Sequence, residues 1–124
     1  DLAELTTRHL WGFAAHGTTT VECKTGYGLS LADEEKSLRA LQLAIGQVPL
    51  TVKRTFLGAH EFPPEYRGDR EAYVRLLCEQ MLPQLAKLAD YCDVFAEPGV
   101  FDRTQSLRIL SAARAGCPQL GTTR

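Results

Sequence analysis

The sequence predicts an α/β fold of about three consecutive β/α units with parallel strands, part of a (β/α)8 TIM-type barrel. Three observations predict it. Periodic segments come in the order helix, strand, helix, strand, helix, strand, helix, which calls for parallel strands joined by right-handed crossovers. The first strand places two ionisable residues, Glu22 and Lys24, on one face. Strands covered by helices on both sides read as apolar runs, whereas a charged inner row belongs in the mouth of a barrel. Finally, three strands cannot close a barrel, because closure takes about eight. Residues 1–124 are therefore expected to be a fragment of a larger barrel domain.

The elements follow in order. Leu2 to His16 carries Leu2, Leu5, Leu10 and Phe13 among polar neighbours and stops at Gly17, a natural left-handed C-cap, so it is expected to be a helix. Thr18 to Lys24 is β-branched and alternating, with Val21 and Cys23 on one face and Thr20, Glu22 and Lys24 on the other. The TGYG turn breaks this strand. Ser30 with Asp33 three residues on opens a second helix, and Leu38, Leu41 and Ile45 recur at helical spacing until Gly46 and Pro49. Leu50 to Ala59 is the second strand, and it delivers His60. Asp69 caps a third helix bearing Tyr73, Leu76, Leu77 and Met81, which Pro83 restarts to about Ala89. Cys92 to Glu97 reads as the third strand, closed by Pro98 and Gly99, and the last helix runs from about Thr104 to Ala115.

Composition narrows the function. The net charge is −1, with 23% charged and 44% hydrophobic residues, which is ordinary for a globular domain. Lys and Arg are scattered without a basic stripe, which speaks against nucleic acid and anionic membranes as partners. No apolar run approaches the roughly 20 residues of a membrane span, and DLAELTTRHLWGF lacks the basic start of a signal peptide, so a cytoplasmic protein is expected. Cys23, Cys78, Cys92 and Cys117 show neither CxxC nor zinc-finger spacing and are expected to be buried free thiols. The usual metal, acyl-transfer and nucleotide signatures (HxH, HExxH, GxSxG, GxGxxG, the P-loop) are missing. His9 and His16, seven apart on one helix, are too distant to share an ion and are expected on the surface.

What remains is a cluster defined by strand ends. Tyr27 lies in the glycine-flanked KTGYGL turn after the first strand, His60 follows the second, and Glu97 closes the third. In a barrel these ends share one rim, where a phenol, an imidazole and a carboxylate could orient a small polar substrate. Packing for Tyr27, a turn cap for His60 and a salt bridge for Glu97 are the structural alternatives.

The strings HGTTTVECKTGYGL, TFLGAHEFPPEY and MLPQLAKLADYCDVFAEPGVFDRTQSLRIL, in this order, resemble the central part of the imidazolonepropionase family of the amidohydrolase superfamily. The likeness runs from Leu2 to about Gly116. It implies a metal-dependent β/α barrel that hydrolyses 4-imidazolone-5-propanoate to N-formimidoyl-L-glutamate in histidine degradation, with zinc or iron as the ion. It implies that Tyr27 and His60 bind substrate, holding the ring and its developing oxyanion. Glu22 and Lys24 would support the inner wall, and Glu97 carries no implied role. The family's ion ligands, an HxH pair, a later histidine and an aspartate, have no counterpart here. The resemblance therefore places no catalytic residue and no metal ligand in this chain, and the piece alone is expected to be inactive. Homo-oligomerisation is left open. Alternatives are another cyclic-amide hydrolase or aminohydrolase of the superfamily, or a non-enzymatic α/β binding module.

Overall fold

A computed structural model describes residues 1–116 and 121–123. Strands β1 (Thr20–Lys24), β2 (Thr51–Ala59), β3 (Tyr91–Val94) and β4 (Gly121–Thr123) form one sheet in sequential order, every neighbouring pair parallel. Helices α1 (Leu2–Ala15), α2 (Leu31–Ile45), α3 (Arg70–Leu76), α4 (Leu82–Leu85) and α5 (Arg103–Gly116) fill the connections. Sequential parallel strands with right-handed crossovers carry all helices on one face, which is the arrangement of a barrel wall. The predicted α/β class with parallel strands is what the structure shows.

Side-chain alternation separates the two faces of the sheet. On the helix side, Val21, Cys23 and Val52 meet Leu10, Ala14 and Ala44, while Phe56, Ala59, Cys92 and Val94 meet Leu38, Val74, Leu77, Leu82, Ile109 and Ala113. Each fully buried large apolar side chain contributes about 1.5–3 kcal/mol. Glu22, Lys24, Thr55, Leu57 and Asp93 alternate onto the opposite face. One irregularity changes this pattern. Phe56 pairs with Cys92 but Ala59 pairs with Val94, so β2 carries an extra residue over this stretch. A one-residue bulge inverts the facing of everything after it. Without it, the alternation from Phe56 would turn His60 towards the helices; with it, Ala59 packs in the core and His60 turns the other way.

Four expectations are corrected. A fourth strand, β4, extends the sheet beyond the three predicted; a Gly-Thr-Thr stretch has too little pattern to announce a strand and is ordered by pairing with β3. The third strand ends at Val94 rather than Glu97, because Ala96 N–H bonds Val94 O at 3.1 Å and Glu97 N–H bonds Phe95 O at 3.2 Å, curling the chain away from the ladder. The third helix gives way at Leu77–Met81 to a wide π-type turn in which Leu82 N–H reaches back five residues to Leu77 O. Pro83 follows directly, and widening the ladder accommodates a residue that lacks an N–H and crowds the preceding turn. On α1, Leu10 alone of the predicted apolar face is buried, while Leu2, Leu5 and Phe13 stay exposed. His9 and His16 are exposed as expected.

Among the described cysteines, Cys92 is buried and Cys23 and Cys78 are half-buried, all as free thiols, and burial pushes Cys92 up to about 12. Cys117 lies outside the described residues. No described helix is long and apolar enough to cross a membrane.

The entry to β3 is tied to β2 by Asp90. Its Oδ2 accepts from Arg54 N–H at 2.7 Å and from Arg54 Nε at 3.1 Å, while Asp90 N–H donates to Arg54 O at 2.7 Å. Burial alone would raise the Asp90 carboxyl, but the bonds from Arg54 and its charge outweigh it and hold the group below its usual range. A lowered folded-state value means that the contribution is complete above the ordinary aspartate range and is lost as pH falls through the lowered value. Asp90→Asn is expected to cost ~1 kcal/mol at neutral pH, a figure kept small because the pair is partly solvated. Melting curves against pH should show the gap to the parent protein closing on acidification; a constant gap would contradict the assignment.

Candidate functional site at the carboxyl ends of β1 to β3

The first component is the loop after β1. Thr25 prolongs the β1–β2 pairing, donating its N–H to Thr55 O at 3.0 Å and accepting from Leu57 N–H on its hydroxyl at 2.8 Å. The chain then turns through two non-glycine residues in the left-handed region, Tyr27 at φ 52° and Leu29 at φ 55°. Such positions cost of order 1–3 kcal/mol and cluster at functional sites. Two features hold the loop in this shape. A Cβ on Gly28 would lie 2.8 Å from Asp33 Cβ and 2.9 Å from Glu34 N, so only glycine lets the loop seat on the start of α2. Leu29 N–H donates to Oε1 of the fully buried Glu34 at 3.0 Å. Tyr27 is thereby left 58% exposed, its ring standing over the sheet end.

The second component is the end of β2. Beyond the bulge, His60 is followed by Phe62, buried between Phe101 and Tyr73 at ring-centroid distances of 4.3 and 5.8 Å. Tyr73 also donates its hydroxyl to Gly58 O at 2.7 Å. The backbone on both sides of His60 is thus anchored in the core, and the imidazole, 14% exposed, has little freedom.

The third component is Asp93 on β3. Its Oδ2 lies 3.1 Å from His60 Nε2 and 3.0 Å from Lys24 Nζ, so one oxygen joins the ends of β1, β2 and β3. The hydrogen bond to Asp93 raises Lys24, keeping it an ammonium. Phe95 stacks on the imidazole at 5.8 Å with 17° between the planes, and Tyr27 meets it edge-on at 6.3 Å and 80°. Deeper on the same face, Thr55 donates to Glu22 Oε1 at 2.5 Å.

The sequence-predicted residues thus fare differently. Tyr27 and His60 are brought together, and Lys24 joins them. Glu97 does not: it is exposed three residues past β3 and lines a cavity of about 890 Å³ between that turn and α5, whose walls include Arg70, Phe101 and Arg103 but neither Tyr27 nor His60. Sequence reasoning missed Asp93 and Glu34. The signal for Asp93 was available, an aspartate inside the otherwise apolar YCDV strand in phase with Lys24. Among the described residues no group of three His, Cys, Asp or Glu side chains could hold a metal ion. The His60–Asp93 pair does not fit one either, since the Lys24 ammonium already occupies the carboxylate oxygen as its cation.

The chain is 57% identical over 118 residues to imidazolonepropionase of Symbiobacterium thermophilum, a match that covers 93% of this chain and 28% of the relative. Over that stretch the chain is similar to part of imidazolonepropionase. The Solibacter usitatus enzyme of that name is 48% identical over 117 residues, with 93% of this chain and 28% of the relative covered. For Geobacillus thermodenitrificans imidazolonepropionase the figures are 46% over 116 residues, 92% and 27%. The chain spans a little over a quarter of the length of these curated relatives. No family model matches it. The imidazolonepropionase similarity embraces every component of the site, from the Tyr27 loop to Asp93.

Proposed function

We propose that this chain is part of a metal-dependent imidazolonepropionase that hydrolyses the cyclic amide C–N bond of 4-imidazolone-5-propanoate to give N-formimidoyl-L-glutamate. Within it, Tyr27 and His60 are substrate-binding residues. The observation that supports the assignment is their convergence, a phenol and an imidazole 6.3 Å apart at the carboxyl ends of adjacent parallel strands. That end of a β/α barrel is where substrates bind. The exposed rings of Phe95 and Tyr27 offer flat apolar surface to a planar heterocycle, and the Tyr27 hydroxyl supplies a donor for the oxygen that gains charge as the ring opens. His60 positions the ring. These residues orient the substrate and are not the nucleophile. Zinc or iron would supply the activated water from ligands other than those described. The reading carries with it a small-molecule substrate and a cytoplasmic setting.

The test is a graft. Residues 2–116 replace the corresponding segment of the Symbiobacterium relative, and turnover of 4-imidazolone-5-propanoate is measured. Turnover within about 10-fold of the parent is expected, a margin of ~1.4 kcal/mol for imperfect new contacts. A folded, metal-loaded graft that opens a different cyclic amide, or none, would overturn the proposal.

A further inference from the structure

Asp93 is the feature of the site that the resemblance does not explain. It sits on β3 with its side chain 10% exposed, and one of its oxygens faces both His60 Nε2 and the Lys24 ammonium. We infer that Asp93 is a positioning residue that keeps a proton on His60 Nε2, so that Nδ1 is the nitrogen presented to the ligand, as a hydrogen-bond acceptor.

The argument is geometric. A carboxylate accepts and does not donate, so a ring nitrogen 3.1 Å from it carries a proton. Lys24 donates to the same oxygen. Phe95 covers one face of the ring, Tyr27 meets it edge-on, and the backbone on both sides is fastened through Phe62 and Gly58, which holds Nε2 at the carboxylate. Among the described residues no group bonds Nδ1. A lone-pair acceptor recognises an N–H, and a cyclic amide or ureide carries one where an ester or lactone of the same shape does not. His60 then reads the substrate's ring N–H, and contact with the developing oxyanion falls to Tyr27. This deepens the proposed function by giving the two substrate-binding residues opposite polarity.

The experiment reads the ring itself. Histidine-selective nitrogen-15 labelling of the grafted enzyme, at alkaline pH where an ordinary imidazole is neutral, reports which nitrogen carries the proton; the His60 signals are assigned by their loss in His60→Gln. The parent graft is expected to show Nε2–H, and Asp93→Asn, whose carbonyl can still accept, should retain it. In Asp93→Ala the ring is expected to move to a tautomer mixture, with KM for the imidazolone rising about 10-fold and kcat changing less. A proton on Nδ1 in the parent graft overturns the inference without any variant, and an unchanged tautomer in a folded Asp93→Ala protein overturns it as well. The tautomer is read without substrate, so failure of the graft to turn over imidazolone would count against the proposed function and leave this assignment standing.

Discussion

His60→Ala in the grafted full-length enzyme is expected to lower kcat/KM about 100-fold, ~2.7 kcal/mol of transition-state stabilisation, while bound metal is unchanged. The size follows from what the imidazole does. It is held by Asp93, Phe95 and Tyr27 in one orientation, so its removal takes away a preorganised hydrogen bond and frees two neighbours to move into the space. Tyr27→Phe removes one exposed hydroxyl and keeps the ring, and about a 10-fold loss is expected. Steady-state kinetics paired with elemental analysis separates this from a role in holding the ion: loss of metal in proportion to activity in either variant would show that these residues support the metal and not the substrate.

Gly58→Ala should lower the stability of the fold by about 1–3 kcal/mol, the usual cost of forcing a methyl into a packed core. A Cβ at this position would collide with the Phe56 ring, coming within 2.9 Å of Cε2 and 3.0 Å of Cε1 and closer still to Cζ. Phe56 is 1% exposed and cannot swing aside. Because Gly58 lies within the bulge that turns His60 to the site face, the same substitution is expected to reduce activity beyond its effect on folding. Denaturant unfolding together with kinetics well below the transition checks both halves. A variant as stable as its parent would mean that the ring has room the structure does not show.

The helices and first three strands could be read from the chain because their signals are local. Ser30 and Asp69 cap their helices as expected, each accepting an N–H from the residue three positions on. Glycine and proline mark the ends of β1 and β2. Tyr27 and His60 were visible because each follows a strand, and strand ends in parallel β/α structures converge. Asp93 was passed over since Lys24 and His60, which it meets, are 69 and 33 residues away in the chain. Glu97 was placed on the rim only because the third strand was taken three residues too long.

What the amino-acid sequence determined alone is the alternation of helices and strands, the polar row that includes Glu22 and Lys24, and the candidate pair at the strand ends. These depend on periodicity, capping and turn chemistry, which act over a few residues. The tertiary structure alone decided that His60 faces Asp93 rather than the helices, that Lys24 shares the same oxygen, and that β4 pairs with β3. Each of these depends on register between segments far apart in the chain, and an extra residue opposite β3, which no local pattern announces, reverses the side on which a side chain falls.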